Sequence, residues 1–179
     1  ALLRHVFGGT ERLLRRLHNS EDWKLVYYDE NSCVFLKKTR KNEDAIRKFG
    51  IDFKEKELTG AEITMNAARF FEKIGEPDPA EKAYMHILKG SPALLEAGNN
   101  LSVIYINSRR YKDAVRLLEV FLARYPKSAE LYANLGEAYM RLGESKKGLG
   151  LLEKAARIDP YSRKTSYLLG AVSYTHLRA

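Results

Sequence analysis

A period of 34 residues constrains this chain more than any other feature. When residues 95–128 are set above residues 129–162, Asn100-Leu101 falls on Asn134-Leu135, Tyr105 on Tyr139, and Leu117-Leu118 on Leu151-Leu152. Arg124 and Pro126 fall on Ile158 and Pro160. One period earlier, Asn66, Phe71, Tyr84, Leu88 and Pro92 occupy the same columns, and Ala80, Ala114 and Gly148 share a column of small residues. One period later, Leu169-Gly170 meets Leu135-Gly136. Self-similarity at this spacing marks a repeat array, in which each copy is one supersecondary unit that buries its apolar face only against its neighbours.

Each copy reads as two helices. In the second, Leu101, Ile104 and Tyr105 form a stripe at i, i+3 and i+4; after a polar break, Ala114, Leu117, Leu118 and Phe121 form another. The third copy repeats this with Leu131, Leu135, Ala138 and Tyr139, then Leu149, Leu152, Ala155 and Ala156. Gly75 and Gly143 fall between paired helices, where a terminating residue with positive φ is wanted. Pro92, Pro126 and Pro160 close the copies, because proline cannot continue a helix.

The third copy carries Tyr132, Leu135-Gly136, Tyr139, Gly143, Leu152, Ala155 and Pro160, and in these positions the chain resembles the tetratricopeptide-repeat family. It departs from the family pattern at Gly148, where alanine is usual, and more widely in the first copy, with Ala67-Ala68 and the prolines Pro77 and Pro79. The resemblance implies a mainly α fold: a solenoid of helical hairpins with repeats at about 61–94, 95–128 and 129–162 and an incomplete fourth at 163–179. It also implies a binding module for a protein or peptide, held along the inner, first helix of each unit, and not an enzyme. In phase with the family, the groove-facing residues are Asn66, Arg69, Lys73, Asn99, Asn100, Val103, Asn107, Asn134, Glu137 and Arg141. Asn66, Asn100 and Asn134 recur at the repeat spacing, placed either to bond an extended peptide or to satisfy neighbouring backbone. From Val172 to Ala179 the pattern breaks, with Ser173 in the aromatic column, and this ending is read as foreign to the repeat.

Residues 1–58 lack the period and are expected to form a small α+β segment ahead of a solenoid spanning 59–179. Glu11–His18 reads as a helix with Leu13, Leu14 and Leu17 on one face. Asp22 to Asp29 reads as a strand, Glu30-Asn31-Ser32 as a turn, and Cys33 to Lys38 as the antiparallel partner. One hairpin and one helix are too little for independent stability, so further strands are expected upstream of Ala1. The aromatic hairpin leading into repeats resembles the soluble C-terminal region of bacterial multi-spanning membrane glycosyltransferase-like proteins. That likeness brings no catalytic residue and implies the extracytoplasmic side of a membrane; without it, the cytoplasm is expected. Residues Lys37 to Leu58, with Lys37-Lys38, Arg40-Lys41 and Arg47-Lys48, read as a charged connector.

Composition narrows the chemistry further. The formal net charge is +8, spread along the chain, which favours an acidic partner without specifying nucleic acid. No aromatic-and-basic motif supports nucleic-acid binding, and none is expected. Cys33 is the single cysteine, and His5, His18, His86 and His176 show no ligand spacing, so no metal or other cofactor is expected. Phe7-Gly8-Gly9-Thr10 lacks the lysine of a phosphate loop. No run of apolar residues is long enough to span a membrane. Trp23, Tyr105 and Tyr139 are assigned to the core.

Overall fold

The computed structural model describes residues 2–4, 11–28, 32–51 and 65–176. It contains a three-stranded antiparallel sheet ordered β1-β3-β2, formed by Leu2–Arg4, Ser32–Lys37 and Trp23–Tyr28. The hairpin was legible in the sequence; β1 was not, because three residues cannot show alternation. β1 adds a third strand to the expected hairpin: Leu2 pairs with Val34, Leu3 with Cys33 and Arg4 with Ser32. Of the expected turn Glu30-Asn31-Ser32, Ser32 instead opens β3, while residues 30–31 and the Phe7–Thr10 motif lie outside the described residues. A bulge between Leu25 and Tyr27 offsets β2 against β3.

Helix α1, Glu11–His18, buries Leu14 and Leu17, while Leu13 stays exposed. With Leu25, Cys33 and Phe35 these make the small core; Cys33 and Phe35 are two apart on the central strand and so share a face. The stretch read as a charged connector is folded over Arg40–Asn42, a short 3-10 turn, and α2, Glu43–Phe49. Glu43 and Asp44 open α2 and Arg47 and Lys48 close it, the arrangement that complements a helix dipole. Asn42 Nδ2 donates to Lys37 O at 2.9 Å, and Ile51 N to Leu25 O at 2.8 Å, which pins both ends to the sheet. The expected boundary between 58 and 59 lies outside the described residues.

From Met65 onward the repeats appear as paired helices: α3 Met65–Ile74 with α4 Pro77–Gly90, α5 Leu95–Asn107 with α6 Tyr111–Arg124, and α7 Ala129–Arg141 with α8 Ser145–Ile158. A further first helix, α9, spans Arg163–His176. The chain divides into two compact units, Ala1–Ile87 and Leu88–Ala179. The first unit thus holds the sheet and most of the first helical pair. In it Tyr28 of β2 stacks on Phe70 of α3 at 4.9 Å, and Arg15 Nε donates to Lys73 O at the end of α3.

The period is visible in the hydrogen bonds that end each first helix. Glu76 N donates to Phe71 O, Arg110 N to Tyr105 O and Glu144 N to Tyr139 O, each reaching back five residues to the aromatic column. Gly75, Arg109 and Gly143 make the accompanying shorter bonds, the double-bonded helix ending that requires a left-handed residue. Their φ values are 77°, 60° and 84°, so Arg109 holds the glycine conformation without being glycine. Ser128 and Ser162, one period apart, accept from Leu131 N and Thr165 N and cap α7 and α9.

The small-residue columns explain how closely the helices approach. A Cβ on Gly148 would lie 2.8 Å from Gly136 O, and one on Gly136 3.0 Å from Gly148 O, so α7 and α8 touch backbone to backbone. Ser102 with Ala114, and Ala68 with Ala80, fill the same columns, all buried. Gly148 weakens its helix by roughly 1 kcal/mol in intrinsic propensity, as the sequence suggests, but the contact with Gly136 depends on it. Between α5 and α6 the fit is of another kind. A Cβ on Gly98 would meet the Phe121 ring at 2.2 Å; one period on, the same two columns hold Tyr132 and Ala155, both within one buried cluster. The large and small partners have changed helices.

Candidate functional site

The first helices of the second unit carry a polar ladder. Asn99 on α5 is buried and donates through Nδ2 to Glu130 Oε1 on α7 at 2.9 Å. Its Oδ1 accepts from Asn134 Nδ2, also on α7, at 2.6 Å. Asn134, only 1% exposed, accepts in turn from Lys164 Nζ on α9. The same ammonium lies 3.2 Å from Glu137 Oε2, and Arg141 reaches the other oxygen of that carboxylate at 3.8 Å. Glu130, Asn134, Glu137 and Arg141 stand four, three and four residues apart, which puts them on one face of α7. The ladder thus links three successive first helices.

Its energetics differ from end to end. Two buried carboxamides are tolerated because each uses both its amide nitrogen and its oxygen inside the row; orphaning either one would cost about 1–3 kcal/mol. At the other end the Lys164 and Arg141 side chains are 40% and 60% exposed, so their charges meet solvent. The buried Asn134 amide holds the Lys164 ammonium, and Arg141 meets the Glu137 carboxylate beside it.

The expected groove residues separate accordingly. Asn99, Asn134, Glu137 and Arg141 are brought together in the ladder. Asn100 and Val103 are half-buried and Asn107 is exposed on α5. Arg69 and Lys73 are half-buried on α3 in the first unit, and the Asn66 side chain lies outside the described residues. Sequence reasoning missed Glu130 and Lys164. The signal was present, since Glu96, Glu130 and Lys164 form one column whose sign reverses in its last member.

The aromatic columns are core, as their spacing suggests, but their edges are dressed with cations. Arg110 lies 4.3 Å from the Tyr105 ring centre, Lys147 3.8 Å from that of Tyr139, and Lys154 4.2 Å from that of Tyr132. Tyr139 Oη donates to Glu119 Oε1 at 2.8 Å. Lys147 is held above the usual lysine range, first by a hydrogen bond to Tyr139. Part of the basic excess therefore packs on tyrosine.

In the first unit, Tyr84 Oη donates to Glu72 Oε2 at 2.6 Å. Burial pushes the Glu72 carboxyl up, against the opposing pull of that bond and of Arg69. Trp23 is half-buried and lines a cavity of about 320 Å³ with His18, Lys24, Phe71 and Glu76. His18 Nε2 lies 3.9 Å from Glu76 Oε1, and His86 is exposed; His5 and the His176 side chain lie outside the described residues. Among the described residues no group of three His, Cys, Asp or Glu side chains is placed to hold a metal, and no helix is long and apolar enough to cross a membrane.

Paired helices of this length, joined by left-handed turns at a constant period, are tetratricopeptide-like repeats. Residues 100–163 match the model of the Tetratricopeptide repeat family. MamA 41-end from Desulfovibrio magneticus RS-1 is similar at 26% identity with a TM-score of 0.55, over 61% of this chain and 62% of that one. The match thus spans less than two thirds of that MamA chain. The first TPR domain of human RPAP3 shares the fold at 16% identity and a TM-score of 0.58, over 62% of this chain and 87% of that one. The same holds for the first TPR of Spaghetti (RPAP3), whose structure is bound to the HSP90 peptide SRMEEVD, at 16% identity and a TM-score of 0.57, over 62% and 87% of the two chains. No curated protein matches the chain.

Proposed function

We propose that this chain is a protein-interaction module that holds an extended, acidic segment of a partner protein against α5, α7 and α9. The observation that carries the reading is the ladder Glu130–Asn99–Asn134–Lys164–Glu137. An all-apolar row would pack these helices at least as well, because buried polar groups seldom add net stability. What the row supplies instead is a fixed placement of Lys164 at the surface, with Arg141 next to it on the Glu137 carboxylate. Asn107, exposed on α5, offers an amide that pairs with peptide backbone. The RPAP3 repeat bound to SRMEEVD supports an acidic peptide as the first ligand to try.

The test is fluorescence anisotropy with SRMEEVD and a panel of acidic and basic heptapeptides. Arg141→Gln with Lys164→Gln is expected to weaken the best acidic ligand about tenfold, since charge pairing at a partly exposed site is worth about that factor. Lys146→Gln with Arg157→Gln on the second helix α8 removes the same charge and is expected to change affinity less than twofold. Binding should weaken with salt, as exposed charges are screened over about 8–10 Å at physiological ionic strength. Equal losses in both pairs, or tighter binding of basic peptides, overturn the reading.

A further inference from the structure

Residues 37–48 of the first unit carry six cations, Lys37, Lys38, Arg40, Lys41, Arg47 and Lys48, against two carboxylates. All six are exposed. Asp44 is taken by Arg47 at 2.7 Å, and none of Lys37, Lys38, Arg40 and Lys41 has a carboxylate partner among the described residues. Neither the 3-10 turn nor α2 buries a residue, yet the segment is pinned to the sheet at Lys37 and Leu25. Lys38, Arg40 and Arg47 line one open depression together with Ile46 and a single carboxylate, Glu43. At the end of α2, Phe49 is 55% exposed beside these charges.

We propose that this patch docks on an anionic lipid bilayer surface, with the cations over the headgroups and Phe49 entering the interface. The charge density fits: clusters of four to eight Lys and Arg bind acidic leaflets through summed, salt-sensitive attraction, without shape complementarity. An exposed aromatic among the cations adds the shallow apolar contact that such surfaces use. Single-stranded nucleic acid fits less well, because it needs free aromatic faces on which bases stack. Phe49 is the one aromatic residue in α2, and the Lys48 ammonium sits 5.2 Å from its ring centre. An extended acidic peptide wants a groove with hydrogen-bonding edges, and here the cations run from the end of β3 through the 3-10 turn to α2, and neither the turn nor α2 buries a residue. The patch lies outside the second unit's ladder, so this inference stands independently of the peptide reading.

The experiment is co-sedimentation of the whole chain with phosphatidylcholine vesicles, with and without roughly one-third phosphatidylserine. Binding is expected only to the anionic vesicles, and to fall as salt rises. Lys38→Glu with Arg40→Glu and Lys41→Glu should reduce the partition coefficient more than tenfold with an unchanged circular-dichroism melt. Phe49→Ala should cause a smaller loss that persists when salt is raised. Lys127→Glu with Lys146→Glu and Arg157→Glu in the second unit changes the net charge equally and should leave most of the binding. No sedimentation with anionic vesicles overturns the proposal, as do equal losses from the two triple variants. Tighter binding to a poly-dT oligonucleotide than to vesicles, abolished by the first triple, would assign the patch to nucleic acid instead.

Discussion

Arg109 shows how a repeat can hide a conformational demand. Gly75 and Gly143 announce their left-handed turns because glycine alone adopts them without penalty, whereas Arg109 sits in the same column at φ 60°. An L-residue there is disfavoured by roughly 1–2 kcal/mol, offset in part by the greater freedom glycine has in the unfolded chain. Arg109→Gly is therefore expected to raise stability by about 0.5–1 kcal/mol, read from the urea midpoint. A lower midpoint would mean that the arginine side chain contributes more than its backbone strains. The candidate site was legible to a similar, partial degree. The recurrence of asparagine pointed to Asn134, but nothing in a row of letters tells which amide turns inward, and Asn99 was the one that bonds it. Lys164 escaped because a column reading Glu, Glu, Lys looks like surface variation until the amides beside it are seen.

At the level of elements, helical pairs were easy to read and short or charged elements were not. Leu101, Ile104 and Tyr105 repeat a face that only a helix presents, and α5 through α8 follow from it. The three residues of β1 carry no periodic signal. α2 has few apolar residues and is held by charges placed at its ends and by bonds to the sheet, so it was mistaken for a connector. Packing between elements is the least legible of all. Gly98 opposite Phe121 and Tyr132 opposite Ala155 conserve the filled volume of a hairpin while moving the bulk from one helix to the other. This predicts strong coupling. Gly98→Tyr alone should collide with Phe121, and Phe121→Ala alone should cost about 3–5 kcal/mol as a cavity. The double variant Gly98→Tyr with Phe121→Ala should recover at least 2 kcal/mol relative to the sum of the singles, measured by a double-mutant cycle of thermal melts. Additive losses would show that the two columns do not share one space.

For the whole molecule, a change of period suggests a division near residue 58, and the structure groups residues into Ala1–Ile87 and Leu88–Ala179. Periodicity reports which residues are alike; compactness depends on which are packed together, and Phe70 of the first helical pair packs on Tyr28 of the sheet. Local stability in such arrays is a sum of units and nearest-neighbour contacts. A fragment of residues 88–179 is therefore expected to retain a helical circular-dichroism spectrum and a single cooperative melt. A featureless, gradual transition would mean that Leu88–Ala179 depends on residues before it.

The exchange of Gly98/Phe121 for Tyr132/Ala155 also bears on how such a gene is free to change. Recombination between its homologous copies, with the crossover falling inside a hairpin, would join Gly to Ala or Tyr to Phe. The first product carries a hole and the second a collision. Crossovers between hairpins keep each pair intact. The side chains thus impose a reading frame on recombination itself, in which the hairpin is the smallest segment that can be inherited as a unit.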